Sequence, residues 1–284
     1  MTFKMRLREL VDDFRDKHEE RLKTFRIKDI PFERIVQDDV TKEQIKALLM
    51  AMLVESFIPV FSEYLLRLNR FRMPLDEFTI MWAREEYSHY TALRKALLAL
   101  GMRETELEAR VARVRSTQNW SEVPMREGPF GPLKTSIYPL TNTVIQEKTT
   151  EIFYRALSKQ IQDPVVTNIL KCLATDEARH HQFMLEALKA HLEDDPRGWM
   201  ASARALIDYE MPGIYLLENW QTLSPESTVT AGVDQEAAFR QIKQELLSLF
   251  GWKLYPVGAV MLARQKLVKP KKIVYSTEIT RDKR

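Results

Sequence analysis

One cysteine, Cys172, occurs in the whole chain. That excludes an intramolecular disulfide framework and a four-thiolate metal site, and it fits a reducing compartment. Glycine is also scarce, at 8 of 284 residues, less than half the ordinary usage of about 7%. No Rossmann or Walker spacing is present, so the chain has no phosphate-cradling loop of either kind. A dominant charge of one sign is missing too: 43 basic and 40 acidic residues leave a formal net charge of +3, which does not suggest a nucleic-acid partner. The longest apolar run, Ala47 to Phe61, is interrupted by Glu55 and falls short of the roughly 20 residues a bilayer span takes. No membrane span is expected. The first residues mix Lys4, Arg6 and Arg8 with Glu9, Asp12 and Asp13 in an amphipathic pattern that lacks the apolar core of a secretory signal. A cytoplasmic location is the expectation.

Hydrophobic residues at 45% and charged residues at 29% are ordinary globular proportions with enough apolar material for a sizeable core. Alternating strand-like runs and the dipeptides Asn-Gly and Asp-Gly are absent, whereas helical periodicity is widespread, so the fold reads as all-α. One helix is expected from Thr41, where Thr41 and Gln44 have capping-box spacing, to about Asn69. A second follows Pro74 and ends before Gly101, a proline-first, glycine-last layout. Glu104 to Arg115 reads as a shorter helix, and a Pro/Gly-rich connection over Pro124 to Pro132 leads to a long helix ending near Lys159. Further helices are expected from Pro164 to about Leu192, between Pro196 and Pro212, and from Asp234 to Phe250 before Gly251. This organisation is read as one helical domain over 1–265, with its core at about 41–192, followed by a basic, loosely held tail over 266–284.

Two segments carry Glu-x-x-His: Glu86 with His89 in REEYSH, and Glu177 with His180 in DEARHH. Positions three apart share a helix face, so each pair can direct a carboxylate and an imidazole at one point. A single histidine on a helix is more often a satisfied polar residue than a ligand, and either pair alone is weak evidence. The sharper signal is two further acids with apolar flanks, Glu55 in the middle of a strongly hydrophobic stretch and Glu147 in mid-helix. Glu55 lies in LLMAMLVESFIPVF and Glu147 in TNTVIQEKTTEIF, and buried acids need partners.

Hairpin geometry brings these four positions level. With a turn near Arg72, Glu55 and Glu86 lie roughly 25 and 21 Å from it along antiparallel helices. With a turn near Gln162, Glu147 and Glu177 lie equally far from it, at roughly 22 Å. Packing the two hairpins together gathers four carboxylates and two imidazoles, and that much buried negative charge calls for cations. Two Glu plus two Glu-x-x-His pairs is the ligand set of ferritin-like di-iron and di-manganese carboxylate bundles. Hard oxygen donors with imidazole favour iron or manganese over thiolate-seeking metals. The 58 positions separating His89 from Glu147 (147 − 89) leave room for the long crossover such a bundle needs. The expected architecture is therefore a ferritin-like four-helix bundle with a long crossover and additional helices.

From Thr41 to about Asn219 the sequence resembles the soluble acyl-carrier-protein desaturases. Glu-Glu-x-x-His matches Glu85 to His89, Gln-Glu-x-x-Thr matches Gln146 to Thr150, and Asp-Glu-x-Arg-His matches Asp176 to His180; Trp82 and the segment Met211-Pro212-Gly213 have counterparts as well. Tyr87 and Ser88 depart from the common pattern, and no second acid adjoins Glu55. The resemblance implies two iron ions per chain, ligated by Glu55, Glu86, His89, Glu147, Glu177 and His180. It further implies dioxygen-dependent desaturation of an acyl chain carried on acyl carrier protein, a ferredoxin-type electron donor and a homodimer. Thr150 is the candidate catalytic hydroxyl, and Asp176 and Trp82 are candidates for orienting imidazole and carrying electrons. The nearest alternative is another ferritin-like di-iron oxygenase, such as an arylamine N-oxygenase or a hydroxylase, because ligand spacing fixes the metal site and not the substrate. Iron storage and a non-catalytic helical module are the more distant readings. Phe57, Phe61, Tyr64, Tyr90 and Met184 are candidates either for an alkyl channel or for plain core packing. The clusters Arg67, Arg70, Arg72 and Lys269, Lys271, Lys272 are candidates for a carrier-protein face or a solvated surface. His18, His181 and His191, with no glutamate three before them, are expected to be surface or local polar residues.

Overall fold

The computed structural model describes residues 2–69, 74–116, 137–208, 232–233 and 235–250. Every regular element among them is helical, and no strand occurs. In chain order the α-helices are α1 (Phe3–Thr24), α2 (Lys42–Glu55), α3 (Ile58–Asn69), α4 (Leu75–Ala99), α5 (Glu104–Ser116), α6 (Ile137–Ser158), α7 (Pro164–Asp194), α8 (Trp199–Asp208) and α9 (Gln235–Phe250). Each expected helix has a counterpart among the described residues, one of them in two pieces, and α1, not foreseen as a helix in its own right, precedes them. The Pro124–Pro132 connection, the Met211–Gly213 segment and the tail from Lys266 lie outside the described residues.

Local chemistry sets the helix ends as the sequence suggests. At α2 the capping box forms in both directions: Gln44 N donates to Thr41 Oγ1 and Thr41 N to Gln44 Oε1. The Asp163 side chain caps α7 by accepting from Val166 N at 2.8 Å, with Pro164 in the first turn. Gly101, at φ +90°, closes α4 in a Schellman turn in which Met102 N reaches Leu97 O and Gly101 N reaches Leu98 O.

The single helix expected from Thr41 to Asn69 is two. Pro59 has no N–H, so an unbroken helix would leave the Glu55 carbonyl without its donor. The chain instead turns at Ser56 and Phe57, where Ser56 N returns to Met52 O, Phe57 N to Val54 O, and Arg115 donates to the freed Ser56 carbonyl at 2.8 Å. The run Lys42–Glu63 is apolar enough, at a mean hydropathy of 1.7, to meet the composition of a membrane span. It is broken at this turn, and its apolar side chains pack in the protein core.

α2 and α3 pack on α4, α6 packs on α7, and the two layers meet where α4 faces α7; α1 lies against both α4 and α7, with α8 and α9 on α6. Two apolar clusters divide the interior. Along α4, Leu75, Phe78 and Trp82 belong to one and Ala92, Leu93, Ala96 and Leu97 to the other; along α7, Leu170 and Leu173 are separated in the same way from Phe183 and Met184. The polar residues Glu86, His89, Glu147, Glu177 and His180 occupy the helical turns between the clusters. The bundle is thus apolar at both ends and carries a charged belt at mid-height.

Candidate metal centre

The belt gathers the six sequence-predicted ligands. Glu55, on the last residue of α2, joins Glu86 and His89 of α4 and Glu177 of α7 in one group. Glu86 and Glu177 also join Glu147 of α6 and His180 of α7 in a second. In each group the four donor atoms lie within 4.8 Å of one another. Glu86 and Glu177 are common to both, so the two groups are adjacent and share two carboxylates. All six side chains are buried, with both histidines at 0% exposure.

The contacts inside the belt are close without being hydrogen bonds. His180 Nδ1 lies 2.7 Å from Glu86 Oε1, 3.3 Å from Glu147 Oε2 and 3.6 Å from Glu177 Oε2. His89 Nδ1 lies 3.2 Å from Glu177 Oε1 and 3.5 Å from Glu86 Oε2. Yet His89 Nδ1, His180 Nδ1, Glu86 Oε1, Glu147 Oε2 and Glu177 Oε1 have no hydrogen-bond partner among the described residues. Buried polar atoms are normally paired. Five unpaired donor atoms converging on a common space, four carboxylate and imidazole residues per group, are the arrangement a pair of hard cations satisfies. The residues fit the metal pair that the sequence suggests.

Burial and the neighbouring charges together set the titration of the belt, in opposite directions for different members. Burial, reinforced by the charges of Glu86 and Glu177, pushes Glu55 well above the usual carboxylate range. Burial with Glu177 and Glu86 does the same to Glu147. Glu86 goes the other way: burial opposes its ionisation, but the adjacent His89 and His180 overcome that and lower it. Both histidines are raised well above the ordinary imidazole value, because the surrounding carboxylates outweigh a burial cost that by itself lowers them.

Behind the ligands stands a second set of acids. Asp176, singled out in the sequence, lies with Oδ2 3.1 Å from His89 Nε2 and receives both arms of the Arg21 guanidinium at 2.5 Å. Glu85, matched in a motif but given no role, lies with Oε2 2.6 Å from His180 Nε2 and accepts from Arg179. Burial works against ionisation of both acids, but His18, His180 and Arg179 around Glu85, and His89 and Arg21 around Asp176, hold each below the usual carboxylate range. His18, expected as a surface or local polar residue, is instead buried at 5% exposure with a distant partner, its Nδ1 lying 2.5 Å from Glu85 Oε1. His181 and His191 are also buried rather than superficial; His181 bonds Val144 O and Glu245. Tyr154, also missed, donates from its buried hydroxyl to Glu55 Oε1 at 2.5 Å. Its signal was available, since Tyr154 lies seven residues, two helical turns, after Glu147 and on the same face.

The Thr150 hydroxyl donates to its own helix, at Gln146 O, 3.0 Å away. Trp82 is buried in the apolar cluster, and its Nε1 has no partner among the described residues. Phe57 and Met184 belong to opposite clusters, and Phe61 touches both. Tyr90 is half-buried against the Phe57 cluster. The side chains of Tyr64 and Arg67, and residues Arg70, Arg72, Lys269, Lys271 and Lys272, lie outside the described residues.

A model of the family described as fatty acid desaturase matches residues 19–260. Among curated proteins none matches the sequence significantly. Similar solved structures include DesA2 from Mycobacterium tuberculosis H37Rv, assigned as an acyl-ACP desaturase, at 16% identity and a TM-score of 0.60, covering 90% of this chain and 98% of that one. A variant of an R2-like ligand-binding oxidase with a Mn/Fe cofactor matches at 15% identity and 0.53, covering 93% of each chain. Another variant of such an oxidase, with an Fe/Fe cofactor, matches at 18% and 0.51, covering 92% and 91%. At these identities the structural likeness speaks to the fold, which is the ferritin-like one.

Proposed function

This chain belongs to the fatty acid desaturase family, and from that premise we propose that it is a di-iron desaturase that introduces a double bond into an acyl chain carried on acyl carrier protein. The observation that carries the reading is the pair of buried four-residue groups sharing Glu86 and Glu177 at the centre of a chain whose family is an oxidoreductase one. Glu55, Glu86, His89 and Glu177 would hold one iron, and Glu86, Glu147, Glu177 and His180 the other. When bound, the iron pair supplies the dioxygen-dependent oxidising power that protein acids and bases lack toward unactivated C–H bonds.

The reaction balances when two hydrogens leave the acyl chain and dioxygen becomes two waters, with two further electrons and two protons taken up. A ferredoxin-type donor is the proposed electron source. The chain's own residues orient the centre and exclude water from it. Ionised Glu85 and Asp176 can only accept, so Nε2 of His180 and of His89 carries the proton and Nδ1 faces the belt. The apolar clusters above and below the belt keep it dry, which strengthens every interaction inside it. Thr150 is proposed as the hydroxyl that delivers a proton on the Glu147 side. Its bond to Gln146 O means that the side chain must turn about χ1 to do so.

The test is anaerobic loading with ferrous ion, iron quantitation, and a single turnover with dioxygen on a set of acyl carrier protein substrates. The reading expects two irons per chain and a product lighter by two hydrogens. A product heavier by one oxygen would overturn it in favour of a hydroxylase. An iron-loaded protein inert toward every acyl carrier substrate would overturn the substrate assignment.

A further inference from the structure

α1 supplies none of the six belt residues, which come from α2, α4, α6 and α7, yet it carries two polar residues that reach the acids behind the ligand histidines. His18 and Arg21 are three apart and share one face. His18 Nδ1 is 2.5 Å from Glu85 Oε1, and Arg21 grips both oxygens of Asp176. Because Glu85 bonds His180 and Asp176 bonds His89, each α1 residue is one bond removed from a different ligand imidazole. Arg179 spans the same two acids from α7.

Three apolar side chains of α1 hold that face in register. Leu7, Val11 and Phe14 are buried in the groove between α4 and α7, and the Phe14 ring meets Phe78, Phe183 and the Arg179 guanidinium. Arg8 and Arg15 pair with Glu77 of α4 at the rim, and Arg6 with Glu186 and Glu193 of α7. Apolar packing would seat a helix here without His18 or Arg21. Burying an imidazole and a guanidinium is costly unless each meets a specific acceptor, and each meets one of the two acids that fix a ligand histidine.

We infer that α1 is a structural part of the metal centre, with His18 and Arg21 acting as positioning residues that lock Glu85 and Asp176, and through them the His180 and His89 imidazoles. Two bonds out from the metal, each contributes at the lower end of the 10- to 100-fold that outer partners of a ligand histidine typically add to metal affinity. This assignment rests on the reading of the six belt residues as ligands.

The experiment uses the full chain and Co(II), whose visible absorption reports ligand geometry, titrated against a competing chelator. His18→Leu and Arg21→Met are expected to weaken Co(II) binding about tenfold and to change the absorption band. His18→Asn, which keeps a donor near the Nδ1 position, is expected to restore both. Arg15→Gln removes only rim ion pairs and is expected to leave both unchanged. Should His18→Leu fail to fold, Arg21→Met against Arg15→Gln makes the same comparison. Parental affinity and spectrum in the His18 and Arg21 variants would overturn the inference, as would an equal loss in Arg15→Gln. Those results would leave the metal centre standing if the parental chain binds two ions; a parental chain that binds none overturns both.

Discussion

Glu85 of α4 bonds His180 of α7 at 2.6 Å rather than His89, the histidine of its own motif, which bonds Asp176 of α7 instead. Each acid that precedes a Glu-x-x-His pair serves the imidazole of the opposite helix. The two helices are therefore cross-linked through the centre, and the positions of both histidines depend on α4 and α7 staying in register. Glu85→Gln and Asp176→Asn keep an acceptor but lose the charge that fixes the imidazole tautomer. Each is expected to weaken metal binding by about 10- to 100-fold, measured by chelator competition, with helix content by circular dichroism unchanged.

Metal uptake is expected to release protons and to strengthen as pH rises. His89 and His180 hold their protons well above the ordinary imidazole value, and Glu55 and Glu147 well above the carboxylate value, so an incoming cation displaces protons. A histidine with a raised folded pKa contributes stability that is full below its unfolded value and lost as pH climbs through the folded one. The metal-free protein therefore loses that contribution with rising pH while the loaded form gains affinity. The difference in Tm between loaded and metal-free protein is expected to widen from pH 6 upward. A gap independent of pH would contradict the protonation pattern.

Tyr154→Phe removes the donor to Glu55 Oε1 inside the core. The lost bond is expected to cost about 1 to 2 kcal/mol in urea unfolding of the metal-free protein. In the loaded protein it should lower affinity for the ion on the Glu55 side more than for the ion on the Glu147 side.

Gly101→Ala tests the close of α4, the helix that supplies Glu86 and His89. At φ +90° an alanine costs about 1 to 2 kcal/mol, and its Cβ would meet Gln37 Nε2 at 3.3 Å. A fall in stability of that size with unchanged metal stoichiometry is expected, checked by denaturation and metal analysis.

Helix identity, helix ends and the six belt residues were legible because each left a local mark: the Thr41 capping box, Pro164 and Gly101 at helix ends, the two Glu-x-x-His pairs, Glu55 in an apolar run and Glu147 in mid-helix. The break at Ser56 and Phe57 was written in Pro59, but the apolar pattern on either side reads as continuous. His18 and Arg21 left no comparable signal. Their partners lie 67 and 155 positions away in the chain, and α1 resembles any charged amphipathic helix until α4 and α7 form the groove that receives it. Glu85 and Arg179 lay inside recognisable motifs, yet the crosswise pairing depends on how two helices face each other.

The central claim is a dinuclear centre with two shared carboxylates, and metal stoichiometry in ligand variants tests it most directly. Anaerobic ferrous loading of the parental chain, Glu55→Ala and Glu177→Ala, with iron counted per chain, separates the cases. The account predicts two irons in the parental protein, selective loss of one in Glu55→Ala, and loss of both in Glu177→Ala, because Glu177 belongs to both groups. A parental chain that holds one iron or none, or a Glu177→Ala variant that retains as much iron as Glu55→Ala, would contradict it.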